Sequence, residues 1–158
     1  MKSIIILLFT LFTNCLVHSQ TQIPKTFQAK VVGIKDGDTF KVLYNNSEIT
    51  IRLNHIDCPE KSQPFGNKAK WKASDLCFGK IVKIVSNGKK DRYKRLIAEV
   101  YFNNININKE LVKNGLAWHF KKYSSDVEYA KIERQARKSK VGLWQEKNPI
   151  APWDWRKK

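Results

Sequence analysis

The chain has 158 residues, 42% of them apolar and 11% aromatic, and its 30 Lys and Arg outnumber its 14 Asp and Glu to give a formal net charge of +16. That apolar content excludes a disordered chain, and the presence of a single long uncharged run excludes a membrane channel; the length suits one domain. The uncharged run comes first. Met1, Lys2 and Ser3 lead into an apolar stretch ending at Val17, too short for a convincing span, and small Ser19 follows. This predicts a secretory signal peptide over residues 1–19, cleaved after Ser19, and a protein that is secreted or periplasmic. Cys15 offers a lipid-anchored N-terminus as the alternative, but Asn14 stands where a lipoprotein signal wants a small residue, so cleavage is preferred. Cleavage removes one lysine and no acid, leaving 29 basic against 14 acidic side chains, a net charge of +15. Such an excess asks for a polyanionic partner. Nucleic acid, an anionic membrane surface and acidic polysaccharide all satisfy it, as does a merely solvated basic surface. Two cysteines remain, Cys58 and Cys77, and both one disulfide and two free buried thiols fit an exported chain.

Residues 20–26 form a short lead. From Phe27 to Asn54 the apolar pattern has a period of two, with Phe27, Ala29, Val31 and Gly33 on one face of a first strand. Phe40, Val42 and Tyr44 mark a second strand, and Ile49, Ile51 and Leu53 a third. Asp36-Gly37 and Asn45-Asn46 are the turn signals between them, so the segment reads as an antiparallel meander. A helix is expected to open at Pro64, with Ala69, Ala73, Leu76 and Cys77 on one face and Gly79 as its stop. Strands return at 80–85 and 95–102, where Leu96, Ala98, Val100 and Phe102 alternate with Arg95, Ile97, Glu99 and Tyr101. A short helix follows from about Asn108 to Asn114-Gly115, and a longer one from Ser125, with Glu128 completing a capping box, to about Lys140. Three strands, a helix, two strands and two helices fit a small oligonucleotide-binding-type barrel capped by helices; a two-layer sheet-and-helix fold fits the same string.

Although acids are scarce, Asp36, Asp38, Asp57 and Glu60 fall close together at the ends of adjacent predicted strands. Oxygen donors so clustered suit a hard cation such as Ca²⁺, while each segment alone reads equally as a tight turn or a strand exit. Strand parity puts Arg52, between Ile51 and Leu53, on the side away from the core, and Arg95 has the same phase relative to Leu96 and Ala98. Two outward guanidinium groups beside carboxylates can grip a phosphodiester, because their planar forks match phosphate oxygens; either alone reads as a solvated surface residue. With a cation and Glu60 they make up the parts of phosphoryl transfer: charge neutralisation, a positioned base and transition-state stabilisation. His55 and His119 lack zinc-ligand spacing. Trp71, between Lys70 and Lys72, reads as a packing residue, and Trp153 and Trp155 in the tail APWDWRKK as anchors of that tail.

The runs VVGIKDGDTFKV, IRLNHIDCPE, DRYKRLIAEV and LVKNGLAW, followed by a closing helix and GLW, resemble the staphylococcal nuclease (thermonuclease) family in order and spacing, from about Phe27 to Trp144. The resemblance implies a mainly β fold, a five-stranded OB-fold-type barrel capped by three α-helices, over residues 27–145, with 146–158 as a basic, Trp-rich tail. It also implies Ca²⁺-dependent hydrolysis of DNA and RNA phosphodiester bonds, leaving 3′-phosphate ends. By position, Asp38 and Asp57 resemble the Ca²⁺ carboxylates, and Cys58 stands where the family offers a Thr backbone carbonyl to the metal. Glu60 matches the general base, and Arg52 and Arg95 the arginines that hold the phosphate. Arg92 and Tyr93 match residues that contact a nucleotide's terminal phosphate. Tyr123 fits one of the two base-stacking tyrosines; Lys121 occupies the other position. The segment KSQPFG after Glu60 is shorter than the flexible loop of the best-known member. The expectation is therefore an exported, monomeric nuclease of low sequence selectivity, with a catalytically inactive OB-fold module that binds nucleic acid or another polyanion as the alternative.

Overall fold

A computed structural model describes residues 23–158; the expected signal peptide, its cleavage site after Ser19 and Cys15 lie outside the described residues. The period-two segments form β1 (Thr26–Asp36), β2 (Thr39–Tyr44) and β3 (Ser47–Leu53), paired antiparallel in chain order. Asn45 and Asn46 adopt φ of 47° and 61°, the left-handed pair that lets a two-residue hairpin follow the strands' own twist. Phe27, Ala29 and Val31 point inward as expected, but Gly33 does not join them. The register slips between Val31 and Gly33 and again between Ile34 and Asp36, and each such bulge reverses the alternation and bends the strand.

That bend lets β1 serve two neighbours, with its later half on β2 and its earlier half on β5 (Ile81–Lys90). After β5 pairs with β6 (Leu96–Phe102), β6 meets β3 in parallel through Ile51↔Leu96, Arg52↔Ile97 and Leu53↔Ala98. The β3–β6 ladder closes a five-stranded barrel and rules out the open two-layer alternative, because closure leaves none of the five as a free edge. Val31, Phe40, Val42, Ile51, Ile84 and Val100 have no exposed surface and fill the interior, as the small radius of such a barrel requires.

Beyond the barrel, the two-residue strands β4 (Ile56–Asp57) and β8 (Trp118–His119) pair with each other, and β7 (Ile105–Asn106) extends the sheet from β6. Helix α1 spans Gly66–Cys77, starting two residues after Pro64 because Pro64 and left-handed Phe65 complete a turn first. Its small buried face, Ala69, Ala73 and Cys77, lets it lie close on the core, and Gly79 at φ 75° ends it. Helix α2 (Ile107–Lys113) is capped by the Asn106 side chain, which accepts from Lys109 N–H. Helix α3 (Val127–Lys138) is capped by Asp126 rather than Ser125: the carboxylate accepts from Glu128 and Tyr129 N–H, and its charge suits a helix N-terminus. Pro152 opens a further short helix, α4 (Pro152–Trp155), which the three-helix expectation lacked.

Two other expectations are settled by burial. Cys58 and Cys77 are buried free thiols, so the disulfide alternative is not adopted, and burial pushes the Cys77 thiol up to about 12. Trp71 is 64% exposed on α1 and does not pack into the core. Among the described residues no helix is long and apolar enough to cross a membrane.

Candidate active site

An open cleft of about 1080 Å³ lies across one end of the barrel and gathers side chains from five separate segments. Asp36 and Asp38 come from the β1–β2 turn, Arg52 from the end of β3, Asp57 from β4, Glu60 from the loop after it, and Arg95 from the residue before β6. The turn at Gly37 is pressed against the helix layer. A Cβ there would sit 2.8 Å from Ala69 Cβ and 2.9 Å from Cys58 Sγ, so only glycine lets Asp36 and Asp38 reach the cleft.

Asp38 is tied down on both oxygens, accepting from Thr39 Oγ1 at 3.1 Å and from Cys58 N–H at 2.7 Å. Arg52 points away from the barrel interior, as parity requires, yet it does not reach open solvent: its side chain is 13% exposed, roofed by the β4 segment. Its Nη1 donates to the carbonyls of Leu53 and Ile56 at 2.7 and 2.8 Å, and its Nη2 lies 2.8 Å from Asp57 Oδ1 and 3.3 Å from Asp38 Oδ2. Burial works against this guanidinium's charge, but Asp38 and Asp57 outweigh it and hold Arg52 above its ordinary value. Asp57 is raised as well, but here burial is the dominant cause: burial, then the neighbouring Asp38 charge, lifts its carboxyl above the usual range despite Arg156 and Arg52. Asp36 is raised for the same two reasons.

Glu60 is placed by its backbone. Its N–H donates to Gln63 Oε1 at 3.1 Å and its carbonyl accepts from Gln63 N–H at 2.9 Å. Gly66, the first residue of α1, runs so close that a Cβ would fall within 2 Å of the Glu60 carbonyl oxygen. Gly66→Ala is therefore expected to cost about 1–3 kcal/mol by overpacking against main chain that cannot step aside, readable in chemical denaturation; an unchanged midpoint would show that the Glu60 loop is free to move.

Across the cleft, Arg95 donates from Nε to Asp91 Oδ2 at 2.7 Å and from Nη1 to Thr39 Oγ1 at 3.2 Å. Burial opposes the Asp91 charge, but Arg95 holds that carboxyl below its usual value. Arg92 donates to the Tyr93 hydroxyl at 2.7 Å, and both Arg92 and Arg95 lie over the exposed Tyr93 ring. Tyr123 lines the same cleft, 69% exposed and edge-on to Phe120, beside Lys121 and Lys122. The structure thus brings every residue singled out for the site, Asp38, Arg52, Asp57, Cys58, Glu60, Arg92, Tyr93, Arg95 and Tyr123, to one cleft.

Residues 50–146 match the staphylococcal nuclease homologue family. A Haemophilus influenzae protein named an uncharacterized endonuclease is 43% identical over 154 residues, covering 97% of this chain and 82% of that protein. The chain belongs to this family. It is also 37% identical over 142 residues to a Shigella flexneri protein named micrococcal nuclease, covering 83% of this chain and 81% of that one. An Arabidopsis thaliana protein named staphylococcal-like nuclease CAN1 is 37% identical over 121 residues, 73% of this chain and 37% of that protein.

Among the described residues no three His, Cys, Asp or Glu side chains converge tightly enough to hold an ion by themselves. Asp38 and Asp57 nevertheless share one cation, the Arg52 guanidinium, and Asp57 and Glu60 share a second, that of Arg156. A pocket of hard oxygens that already collects positive charge fits a hard divalent ion that takes two carboxylates and completes its shell with main-chain oxygen and water. The Cys58 thiol has no part in this, because burial, then Asp38, keeps it protonated.

His55 and His119, isolated in sequence, meet through a hydroxyl: His55 Nδ1 and His119 Nε2 lie 2.8 and 2.9 Å from Ser124 Oγ. His55 stacks on Tyr129, whose hydroxyl donates to Glu99 at 2.5 Å. Burial lowers His119, favouring a neutral ring. This chain of contacts braces the β4–β8 ladder, in which Asp57 faces Trp118, and so steadies a site carboxylate from behind. Sequence reasoning missed Arg156. Its only signal was the tail's tryptophans: Trp153 stacks on Phe120 with centroids 5.0 Å apart and meets Trp118 edge-on, as anchoring of the tail predicts, and that anchor carries Arg156 into the cleft.

Proposed function

We propose that the chain is an exported, Ca²⁺-dependent nuclease that hydrolyses DNA and RNA phosphodiester bonds with little sequence selectivity and leaves 3′-phosphate ends. The carrying observation is the convergence of Asp38, Asp57, Glu60, Arg52 and Arg95 in one cleft whose far wall is basic and aromatic. The names borne by family members point the same way. Asp38 and Asp57, with the Cys58 carbonyl, would hold the Ca²⁺, which when bound adds positive charge beside the scissile phosphate.

Glu60 takes a proton from a water as that water's oxygen attacks phosphorus; the bond from phosphorus to the 5′-oxygen breaks, that oxygen takes a proton from solvent water to leave as a hydroxyl, and the phosphate stays on the 3′ side. Arg95, on the cleft wall with 26% of its side chain exposed, meets phosphate oxygens and stabilises the charge that develops on them. The family resemblance assigns Arg52, with Arg95, to the phosphate, but its two terminal nitrogens are taken up by the Leu53 and Ile56 carbonyls and by Asp38 and Asp57, so in this reading it fixes the spacing of the two metal-binding carboxylates and adds its charge beside them. Arg92 and Tyr93 sit where a neighbouring phosphate would pass, and Tyr123 offers an exposed ring to a base. Stacking on a ring is indifferent to base identity, which accounts for low sequence selectivity.

Purified protein lacking residues 1–19 is expected to degrade plasmid DNA and single-stranded RNA in Ca²⁺ and to leave both intact in chelator. Nucleic acid bound but uncut in Ca²⁺ would instead identify an inactive binding module of the same fold. Product 5′ ends that polynucleotide kinase labels without prior phosphatase treatment, together with 3′ ends that can be extended only after it, would place the phosphate on the 3′ side; the reverse pattern would overturn that assignment.

A further inference from the structure

The last nine residues turn back over the cleft and are tied there. Gln63 Nε2 donates to the Ile150 carbonyl at 2.6 Å, Ala151 and Pro152 are buried, and the Trp153 ring lies flat on Phe120. Arg156 N–H still donates to the Pro152 carbonyl at 3.0 Å, so the backbone is fixed up to the residue that reaches the carboxylates. From that position Arg156 Nη2 lies 2.7 Å from Asp57 Oδ2 and Nη1 lies 2.5 Å from Glu60 Oε1. Both arginines hold Asp57: Arg52 lies 2.8 Å from Oδ1, and Arg156 lies 2.7 Å from Oδ2 with a longer contact of 3.5 Å to Oδ1. Arg156 lies beyond the residues that match the family, so family membership alone does not assign it a role.

We infer that Arg156 is a tethered cation that competes with a divalent metal ion for Asp57 and Glu60, so that the C-terminal tail sets the affinity of the site for its metal and holds the base when no metal is bound. The inference rests on the proposed reading of Asp38 and Asp57 as metal ligands. A guanidinium 2.7 Å from a carboxylate oxygen takes up one of that oxygen's two lone-pair directions and sets a like charge in the path of a dication approaching it, so the two compete for Asp57. The arrangement is also reversible. Asp57 is buried at 2% exposure, but Arg156 is 44% and Glu60 37% exposed, so water can take over the guanidinium as it leaves. Only the side chain has to swing, because the tail's anchors are on Ile150 through Trp153 and not on the carboxylates. Its departure frees Glu60 to meet a water at the moment the metal arrives.

The test is Ca²⁺ titration by calorimetry without nucleic acid, on the full mature chain and on Arg156→Ala, Arg156→Lys, Trp153→Ala and Lys158→Ala. Arg156→Ala is expected to bind Ca²⁺ about tenfold more tightly than the parent, and Trp153→Ala, which unseats the tail, to move in the same direction. Arg156→Lys should fall between, since an ammonium cannot span two carboxylates as a planar fork does. Lys158→Ala removes the same charge away from the site and should stay within about twofold. In chelator the melting temperature of Arg156→Ala should lie below the parent's, with the gap closing in saturating Ca²⁺. Equal or weaker Ca²⁺ binding by Arg156→Ala, or an equal gain from Lys158→Ala, would overturn the inference and leave the metal site standing. No Ca²⁺ binding by any of the five proteins would overturn the metal reading and this inference together.

Discussion

Glu60→Gln is expected to lower turnover by about 10²–10⁴-fold while leaving nucleotide affinity within a few-fold of the parent. The amide keeps the side chain's length and shape, and the contacts that place residue 60 come from its backbone and Gln63, so the loop should stay where it is. What disappears is the ability to accept a proton from water. One side effect is built into the geometry: Arg156 loses the charge on one of its two carboxylates, so its hold on the cleft weakens. A variant that had lost activity through a distorted site would also lose nucleotide binding; a variant that has lost only its base would not. The pair of measurements, plasmid cleavage in Ca²⁺ and fluorescence-detected nucleotide binding, separates the two. Unchanged turnover would show that another group activates the water and that Glu60 serves only to hold the tail.

The parts of this molecule that were legible in its sequence are those set by local geometry. Alternation over Phe27–Leu53 and Leu96–Phe102 has only one structural meaning when one face must be buried, and Asn45-Asn46 can supply the left-handed pair a tight hairpin needs. Parity also put Arg52 on the correct side of its strand. It could not show that β4 would fold back as a roof, which depends on the pairing of Asp57 with Trp118 some sixty residues later. Nor could alternation see the slip between Val31 and Gly33, since a bulge leaves no pattern until the partner strand is known. The barrel closes through a parallel pairing of β3 with β6 that no hairpin signal announces. Arg156 is the extreme case. It stands 99 residues from Asp57 in the chain, and a basic terminal tail is ordinarily solvated, so only the docking of Trp153 reveals where the guanidinium goes. Trp71 failed in the opposite direction, an aromatic ring on a helix that the small-residue face of α1 leaves outside.

Arg52→Met should be the most damaging single change in the site. The side chain is 13% exposed, and its guanidinium meets two main-chain carbonyls and two carboxylates, Asp57 at 2% and Asp38 at 9% exposure. Methionine matches much of the volume and none of the charge. It would leave those carboxylates facing each other with Arg156 as the only remaining cation on Asp57, and breaking a buried ion pair from one side costs about 3–5 kcal/mol. For a chain of this size that corresponds to a fall of roughly 6–20 °C in melting temperature, measured in chelator at neutral pH. Lysine should recover only part of the loss, because a single ammonium cannot reach the Leu53 and Ile56 carbonyls and both acids at once. Two further measurements identify the cause. Saturating Ca²⁺ should restore more stability to Arg52→Met than to the parent, since it returns positive charge to the same oxygens. Adding Asp57→Asn to Arg52→Met should also recover stability, because removing both partners of a buried pair costs far less than removing one. If Arg52→Met costs less than about 1 kcal/mol, or if Asp57→Asn worsens it, the two carboxylates are not held together by this arginine and the arrangement of the proposed metal ligands must depend on something else.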